Sequence, residues 1–356
     1  KQMDEEFPEI DAVVGIAKND DIVEIINSVM LDRRVVTFGD KLCHNMEGDK
    51  LQSTLPHYAY LRIADGCSNK CSYCAIPLIR GKMRSRKMEN IIEEAKKFAE
   101  NGVKELVIVA QDVTAYGIDL YKKYALPDLL KQLCKIDGIK WIRLLYCYPE
   151  RMTDELIETI KTEDKVLNYI DIPIQHCNKE ILRNMYRGGD EQSLRELFAK
   201  LRREIPGVVL RTTLITGFPG ETEEQFSELA EFVNDIKFER LGCFAYSAEE
   251  DTPAAEMPDQ VDEGERQRRA DIITSEQEIR MGEYYAGMVG NTYEVVCEGF
   301  DRYSDMYFGR SMHFAPEIDG MIYFTSAKDK SSLTIGDFVN VKITDVLENN
   351  LLGERV

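Results

Sequence analysis

The stretch Tyr58-Ala59-Tyr60-Leu61-Arg62-Ile63-Ala64-Asp65-Gly66-Cys67-Ser68-Asn69-Lys70-Cys71-Ser72-Tyr73-Cys74 runs a short apolar segment straight into three closely spaced cysteines. Tyr58 to Ala64 reads as a β-strand, so the C-x3-C-x2-C loop sits at a strand's carboxyl end. Three thiolates this close can hold three corners of an iron-sulfur cube and leave the fourth iron open to a substrate or cofactor. Structural zinc is the alternative and needs a fourth ligand, for which Cys43, His44 and His57 are the candidates. None of these falls in a second paired motif, so the spacing favours iron-sulfur over zinc.

Outward from this loop, apolar runs alternate with helix-period stretches, the pattern of repeated βα units on a parallel sheet. Further strands are expected at Glu105 to Ala110, Trp141 to Leu145, Tyr169 to Ile172, Val209 to Ile215 and Leu241 to Ala245. Helices are expected at Met88 to Asn101, Leu126 to Lys135, Thr153 to Lys161, Glu191 to Glu204 and Glu223 to Ile236. Asn101-Gly102 supplies a C-cap to the first, and Thr222 with Gln225 a capping box to the last. This predicts an α/β fold, a partial (β/α)6 barrel at residues 57–286, with its active site at the carboxyl ends of the strands. A long charged helix from Glu263 to about Gly287 leads to residues 287–356. There, alternation at Asn291 to Glu298, Met306 to Arg310, Met321 to Ser326 and Phe338 to Val346 predicts a small antiparallel β-barrel. Residues 1–30 carry one expected strand, Ile10 to Gly15, and one amphipathic helix, Asn19 to Met30. They read as the end of an α/β domain whose earlier part is absent, with 31–56 as a linker.

The 356 residues include 45 basic and 64 acidic side chains, a formal net charge of -19 that repels polyphosphate wherever cations are not gathered locally. The terminal β-module shares this balance, with eleven acidic residues against six basic. A basic protein is therefore an easier partner than RNA. Nine cysteines at irregular spacing fit reduced thiols and metal ligation, hence a cytoplasmic address, better than a disulfide framework. There is no apolar run long enough for a membrane span and no secretory signal pattern.

The blocks Ile63-Ala64-Asp65-Gly66-Cys67, Cys74-Ala75-Ile76-Pro77, Arg80-Gly81-Lys82-Met83-Arg84-Ser85-Arg86, Gln111-Asp112-Val113-Thr114-Ala115-Tyr116-Gly117, Asp171-Ile172-Pro173-Ile174-Gln175-His176 and Thr216-Gly217-Phe218-Pro219-Gly220-Glu221-Thr222 occur in this order. Together they resemble the radical S-adenosylmethionine (SAM) methylthiotransferase family, and the terminal module resembles that family's TRAM domain. Leu144-Leu145-Tyr146-Cys147-Tyr148-Pro149, Tyr246-Ser247-Ala248-Glu249-Glu250-Asp251-Thr252-Pro253-Ala254 and Ala315-Pro316-Glu317-Ile318-Asp319-Gly320 are similar to the branch that modifies an aspartate β-carbon of small-subunit ribosomal protein S-twelve. The alternative branch modifies isopentenyladenosine in tRNA, which the acidic module makes the less favoured partner.

The resemblance implies that Cys67, Cys71 and Cys74 hold a [4Fe-4S] cluster that cleaves SAM to a 5′-deoxyadenosyl radical, fed by an external electron donor. It also implies a second, auxiliary cluster, held in the family by three cysteines of an amino-terminal domain that this chain largely lacks. The chain is accordingly expected to bind one cluster and to stop short of methylthiolation. The partner implied is protein S-twelve, free or on the small subunit, with no membrane. Gln111, Asp112, Gln175, Arg211 and Gly217 are the candidate SAM-binding residues; Asp112 could equally cap a helix and Arg211 could equally sit in a buried ion pair. His176 ends the fourth strand facing the expected cavity. Arg80, Arg84 and Arg86, in the basic run after the cysteine loop, and Glu317 and Asp319, in the terminal module, are candidate substrate contacts.

Overall fold

The computed structural model describes residues 2–43, 46–48, 51–325 and 332–356. His44 and Ser326 lie outside the described residues, as does the side chain of Cys43. Strands β1 (Ala12–Val14) and β2 (Val35–Thr37) pair in parallel. The segment 31–56, read as a linker, thus contributes a strand: Val35-Val36-Thr37 is a short β-branched run of the kind that favours extended backbone.

The body begins at β3 (Tyr58–Arg62), followed by the two-residue pair β4 (Ala64–Asp65) and β5 (Arg84–Ser85) that flanks the cysteine loop. Then come β6 (Glu105–Val109), β7 (Trp141–Leu144), β8 (Val166–Asp171), β9 (Val209–Thr216) and β10 (Arg240–Ala245). The six-stranded sheet has the order β10-β9-β8-β7-β6-β3, parallel throughout and open at both edges. Helices Met88–Glu100, Leu126–Leu133, Asp154–Thr162, Glu191–Glu204 and Glu223–Ile236 cover one face. Thr222 and Gln225 form the expected reciprocal capping box. Successive strand residues point to opposite faces. Ala59, Leu61, Leu106, Ile108, Ile142, Leu144, Ile170 and Leu210 enter the core with the helices. Tyr58, Val107, Trp141, Tyr169 and Val209 face the other way and meet Val296 and Ala315 of the terminal module.

That module is a closed barrel of β11 (Thr292–Asp301), β12 (Met306–Ser311), β13 (Ile322–Thr325), β14 (Phe338–Leu347) and β15 (Asn350–Arg355). Its pairs are antiparallel except β13 with β15, and β15 extends beyond the four strands expected. The module is docked on the sheet by a buried ionic network. Glu105 accepts from Arg143 Nε (2.7 Å) and Arg310 Nη2 (2.8 Å), while Arg310 Nε also donates to Glu298 (2.7 Å), which lies 3.0 Å from His57 Nε2. His57, a candidate zinc ligand, is therefore paired across the domain junction.

Candidate active site

At the carboxyl ends of β3, β6, β7 and β8 lies a cavity of about 460 Å³ whose wall includes Cys67, Cys71 and Cys74. The loop that carries them is tied down on every side. Cys67 N–H donates to Gly81 O (3.1 Å), Ser72 N–H to Met185 O (3.1 Å) and Ser72 Oγ to Asn184 O (2.7 Å). Gly66 turns the chain into the loop with φ +74°, and a Cβ there would fall 2.5 Å from Lys82 O, so only glycine fits. Asn69, inside the loop, donates to Asp112 Oδ2 (3.0 Å) and accepts from Arg151 Nη2 (2.8 Å), while Arg151 Nη1 donates to the same Asp112 oxygen (2.5 Å).

Burial pushes the Cys67 thiol up to about 11 and raises Cys74 as well. A cation among such thiols favours their deprotonated, ligating form. A positive group already stands there. The Arg187 guanidinium donates to Pro173 O (2.7 Å) and Tyr73 Oη (3.5 Å), lies 4.2 Å from the Tyr148 ring centroid and comes within 3.9 Å of Cys71 Sγ. Opposite polarity comes from Gln111, whose buried Oε1 has no hydrogen-bond partner among the described residues. Two non-glycine residues of the wall, Tyr146 (φ +62°) and Gln175 (φ +70°), hold left-handed backbone, a cost that proteins tolerate mainly where a site needs it. Three thiol donors, one guanidinium, one unpartnered amide oxygen and aromatic walls from Tyr73, Tyr146 and Tyr148 suit a cluster bearing a zwitterionic nucleoside ligand.

Of the residues singled out in the sequence, the three cysteines, Gln111 and Gln175 line this cavity. Asp112 stands behind it, capping the turn 113–115 through Ala115 N–H and gripping Arg151. Arg211 is in an ion pair with Asp171 (2.8 Å), and Gly217 does not line the cavity: its N–H donates to Glu221, and a Cβ on it would strike Arg266. His176 is fully buried with its Nε2 3.5 Å from Glu221, so it does not face the cavity. Arg80 and Arg84 pair with Asp65, and Arg86 is buried between Glu47 and Glu94. Glu317 is exposed and accepts from Tyr60 Oη (3.1 Å), whereas Asp319 is an internal brace that accepts from Tyr169 Oη and Ala315 N–H, each at 2.8 Å. Arg187 and the three tyrosines were not anticipated. The one available signal was a cation beside Gly188-Gly189 after a short helix, and nothing local to it indicates the distant cysteine loop.

Residues 61–233 match the model of the Radical SAM superfamily and residues 289–356 that of the TRAM domain. The fold is thus that of a radical SAM protein carrying a TRAM module. Among curated proteins, the ribosomal protein uS12 methylthiotransferase RimO of Caldanaerobacter subterraneus subsp. tengcongensis is 48% identical over 355 residues, 99% of this chain and 80% of that protein. RimO of Clostridioides difficile strain 630 is 45% identical over 356 residues, 99% of this chain and 79% of that protein. The chain belongs to this RimO family. Among solved structures, the radical SAM enzyme coproporphyrinogen III oxidase (HemN) of Escherichia coli matches with TM-score 0.49 and 18% identity, over 65% of this chain and 54% of that one.

Proposed function

We propose that the protein is a cytoplasmic radical SAM methylthiotransferase that modifies the β-carbon of an aspartate in ribosomal protein uS12. The observation that carries the reading is the convergence of Cys67, Cys71 and Cys74 with Gln111 and Arg187 on one cavity at the sheet's carboxyl edge. Cys67, Cys71 and Cys74 would hold one [4Fe-4S] cluster with an iron left open. When bound, cluster and SAM supply an oxidant able to take hydrogen from an unactivated carbon, which no side-chain base can deprotonate at neutral pH.

The chain's own residues bind and orient. The Arg187 guanidinium, anchored by Pro173 O, presents charge to a carboxylate beside Cys71. Gln111 Oε1 accepts from an ammonium or a ribose hydroxyl, and Tyr73, Tyr146 and Tyr148 wall the nucleoside from water. Asp112 and Arg151 hold the cysteine loop in register through Asn69. A second cluster, held outside this set of thiols, would supply the sulfur, and an external donor the electron.

The test is anaerobic incubation of this chain, extended by the amino-terminal region of the Caldanaerobacter relative, with uS12 and with tRNA in parallel. Methylthiolated aspartate in uS12 is expected; label on tRNA alone overturns the reading.

A further inference from the structure

A second cavity, of about 330 Å³, opens where the start of edge strand β10 meets the helix Glu263–Met288 and the turn before β13. Its wall includes Arg211, Arg240, Gly242, Gln277, Tyr285 and Asp319. Three of these are more than nine-tenths buried and carry polar atoms with no hydrogen-bond partner among the described residues: Arg240 Nη2, Gln277 Oε1 and Tyr285 Oη. Orphaned groups of this kind are rare in a folded interior, and three around one cavity call for an occupant.

Each orphan is fixed in place. The Arg240 guanidinium lies 5.0 Å from the ring centroids of both Tyr285 and Phe314, donates through Nη1 to Glu239 O (3.1 Å) and has Nε 3.4 Å from Asp319 Oδ1. Gln277 Nε2 donates to Phe238 O (3.1 Å), which leaves its Oε1 as a free acceptor. The Tyr285 ring stacks on Phe314, with its hydroxyl close to Arg240 but without a well-formed hydrogen bond to it.

The chemistry of the occupant follows from the unmet needs. Arg240 requires an acceptor, Gln277 a donor, and Tyr285 can serve either. The charges are already matched, Arg240 by Asp319 and Arg211 by Asp171, so a free anion would meet no spare cation. An amide supplies an acceptor and a donor from one neutral planar group. The place is also suggestive. Asp171 Oδ1 accepts from Arg211, which lines this cavity, while its Oδ2 accepts from the N–H of Tyr146 (2.9 Å), which lines the cysteine cavity. One carboxylate thus braces both walls and ties the two cavities together.

We propose that this cavity is a subsite of the polypeptide substrate, which places an amide against Arg240, Gln277 and Tyr285 while a nearby residue enters the cysteine cavity. The inference rests on the reading of uS12 as substrate and adds where, beyond the reacting residue, the protein is gripped.

Two substitutions test it in the chain with its cluster reconstituted anaerobically, using recombinant uS12 of Caldanaerobacter subterraneus as probe and fluorescence anisotropy as readout. Tyr285→Phe removes only a hydroxyl that stands near Arg240 without a well-formed hydrogen bond, so the melting temperature should change little. Affinity for uS12 should fall on the order of fivefold, the worth of one neutral hydrogen bond. Gly242→Val fills the cavity from a position where a Cβ meets nothing closer than Phe244 at 3.6 Å. It should weaken uS12 binding on the order of tenfold or more, as a built-in clash does. Wild-type affinity in both variants overturns the subsite, as does a loss that tracks a lowered melting temperature in both. Absence of saturable uS12 binding by the wild type instead overturns the proposed substrate, and the subsite with it.

Discussion

Replacing Glu105 by glutamine puts the junction between sheet and terminal barrel under direct strain. The carboxylate is 1% exposed and lies between two guanidiniums, those of Arg143 (0%) and Arg310 (1%), each contacted through a separate oxygen. Glutamine keeps one acceptor and converts the other into an N–H₂ that faces an arginine donor. The change leaves a buried cation short of its partner, for which the expected loss is about 3–5 kcal/mol.

The ionisation of Glu105 bears on the same quantity. Burial opposes ionisation of Glu105, yet Arg310 and Arg143 outweigh it and hold the carboxyl at about 2, against an ordinary value of 4.5. A folded-state pKa below the unfolded one means stability that is fully present above the unfolded value and lost as pH falls through the folded one. Here the window runs from about pH 4.5 down to about 2, and the shift corresponds to about 3 kcal/mol. Urea unfolding of wild type and Glu105→Gln at pH 7 should therefore differ by about 3–5 kcal/mol, with the gap narrowing below about pH 4.5, as the unfolded chain protonates, and closing only below about pH 2. A difference under about 1 kcal/mol at pH 7, or parallel acid profiles, would refute the claim that this network holds the module on the sheet.

Arg187→Met should leave iron content unchanged and weaken SAM binding by equilibrium dialysis on the order of 10–100-fold, the range for a lost charge-assisted contact; an unchanged Kd rejects the assignment. Asp112→Ala removes the shared acceptor of Asn69 and Arg151, so iron retention by the reconstituted chain under chelator challenge should weaken on the order of tenfold; equal retention would show that the clamp is idle. Gly217→Ala meets both a φ of +68° and the Arg266 Cα at 2.8 Å, so the thermal midpoint should drop by the equivalent of about 2 kcal/mol or more, without loss of iron from the folded fraction.

The parallel sheet was legible because its strands are continuous apolar runs, as in Leu106-Val107-Ile108-Val109, set between helices with clear capping signals. β15 escaped notice because Leu351-Leu352-Gly353-Glu354-Arg355 does not alternate, and its pairing with both β13 and β14 is a consequence of barrel closure. The spacing of the three cysteines marked them as one group, and the structure brings them to one cavity wall. Arg187 could not be found that way, since it reaches Cys71 only through the turn that follows the helix Lys179–Asn184. The reverse holds for Arg211, Arg84 and Arg86. A cation's type is visible in sequence, whereas the acid that neutralises it, Asp171, Asp65 or Glu94, is a matter of tertiary contact. At Gly217, named for SAM from the Thr216 to Thr222 block, the bond to Glu221 and the closeness of Arg266 show a local structural constraint that the block itself does not reveal.

The central claim is that Cys67, Cys71 and Cys74 hold one cluster whose open iron receives SAM. The most direct measurement is anaerobic reconstitution of this chain and of Cys71→Ala, with metal content and 5′-deoxyadenosine formation under reductant measured for each. About four irons per chain and SAM-dependent 5′-deoxyadenosine are expected from the wild type, with both lost in the variant. One zinc without iron in the wild type, or 5′-deoxyadenosine formation retained by Cys71→Ala, would contradict the account.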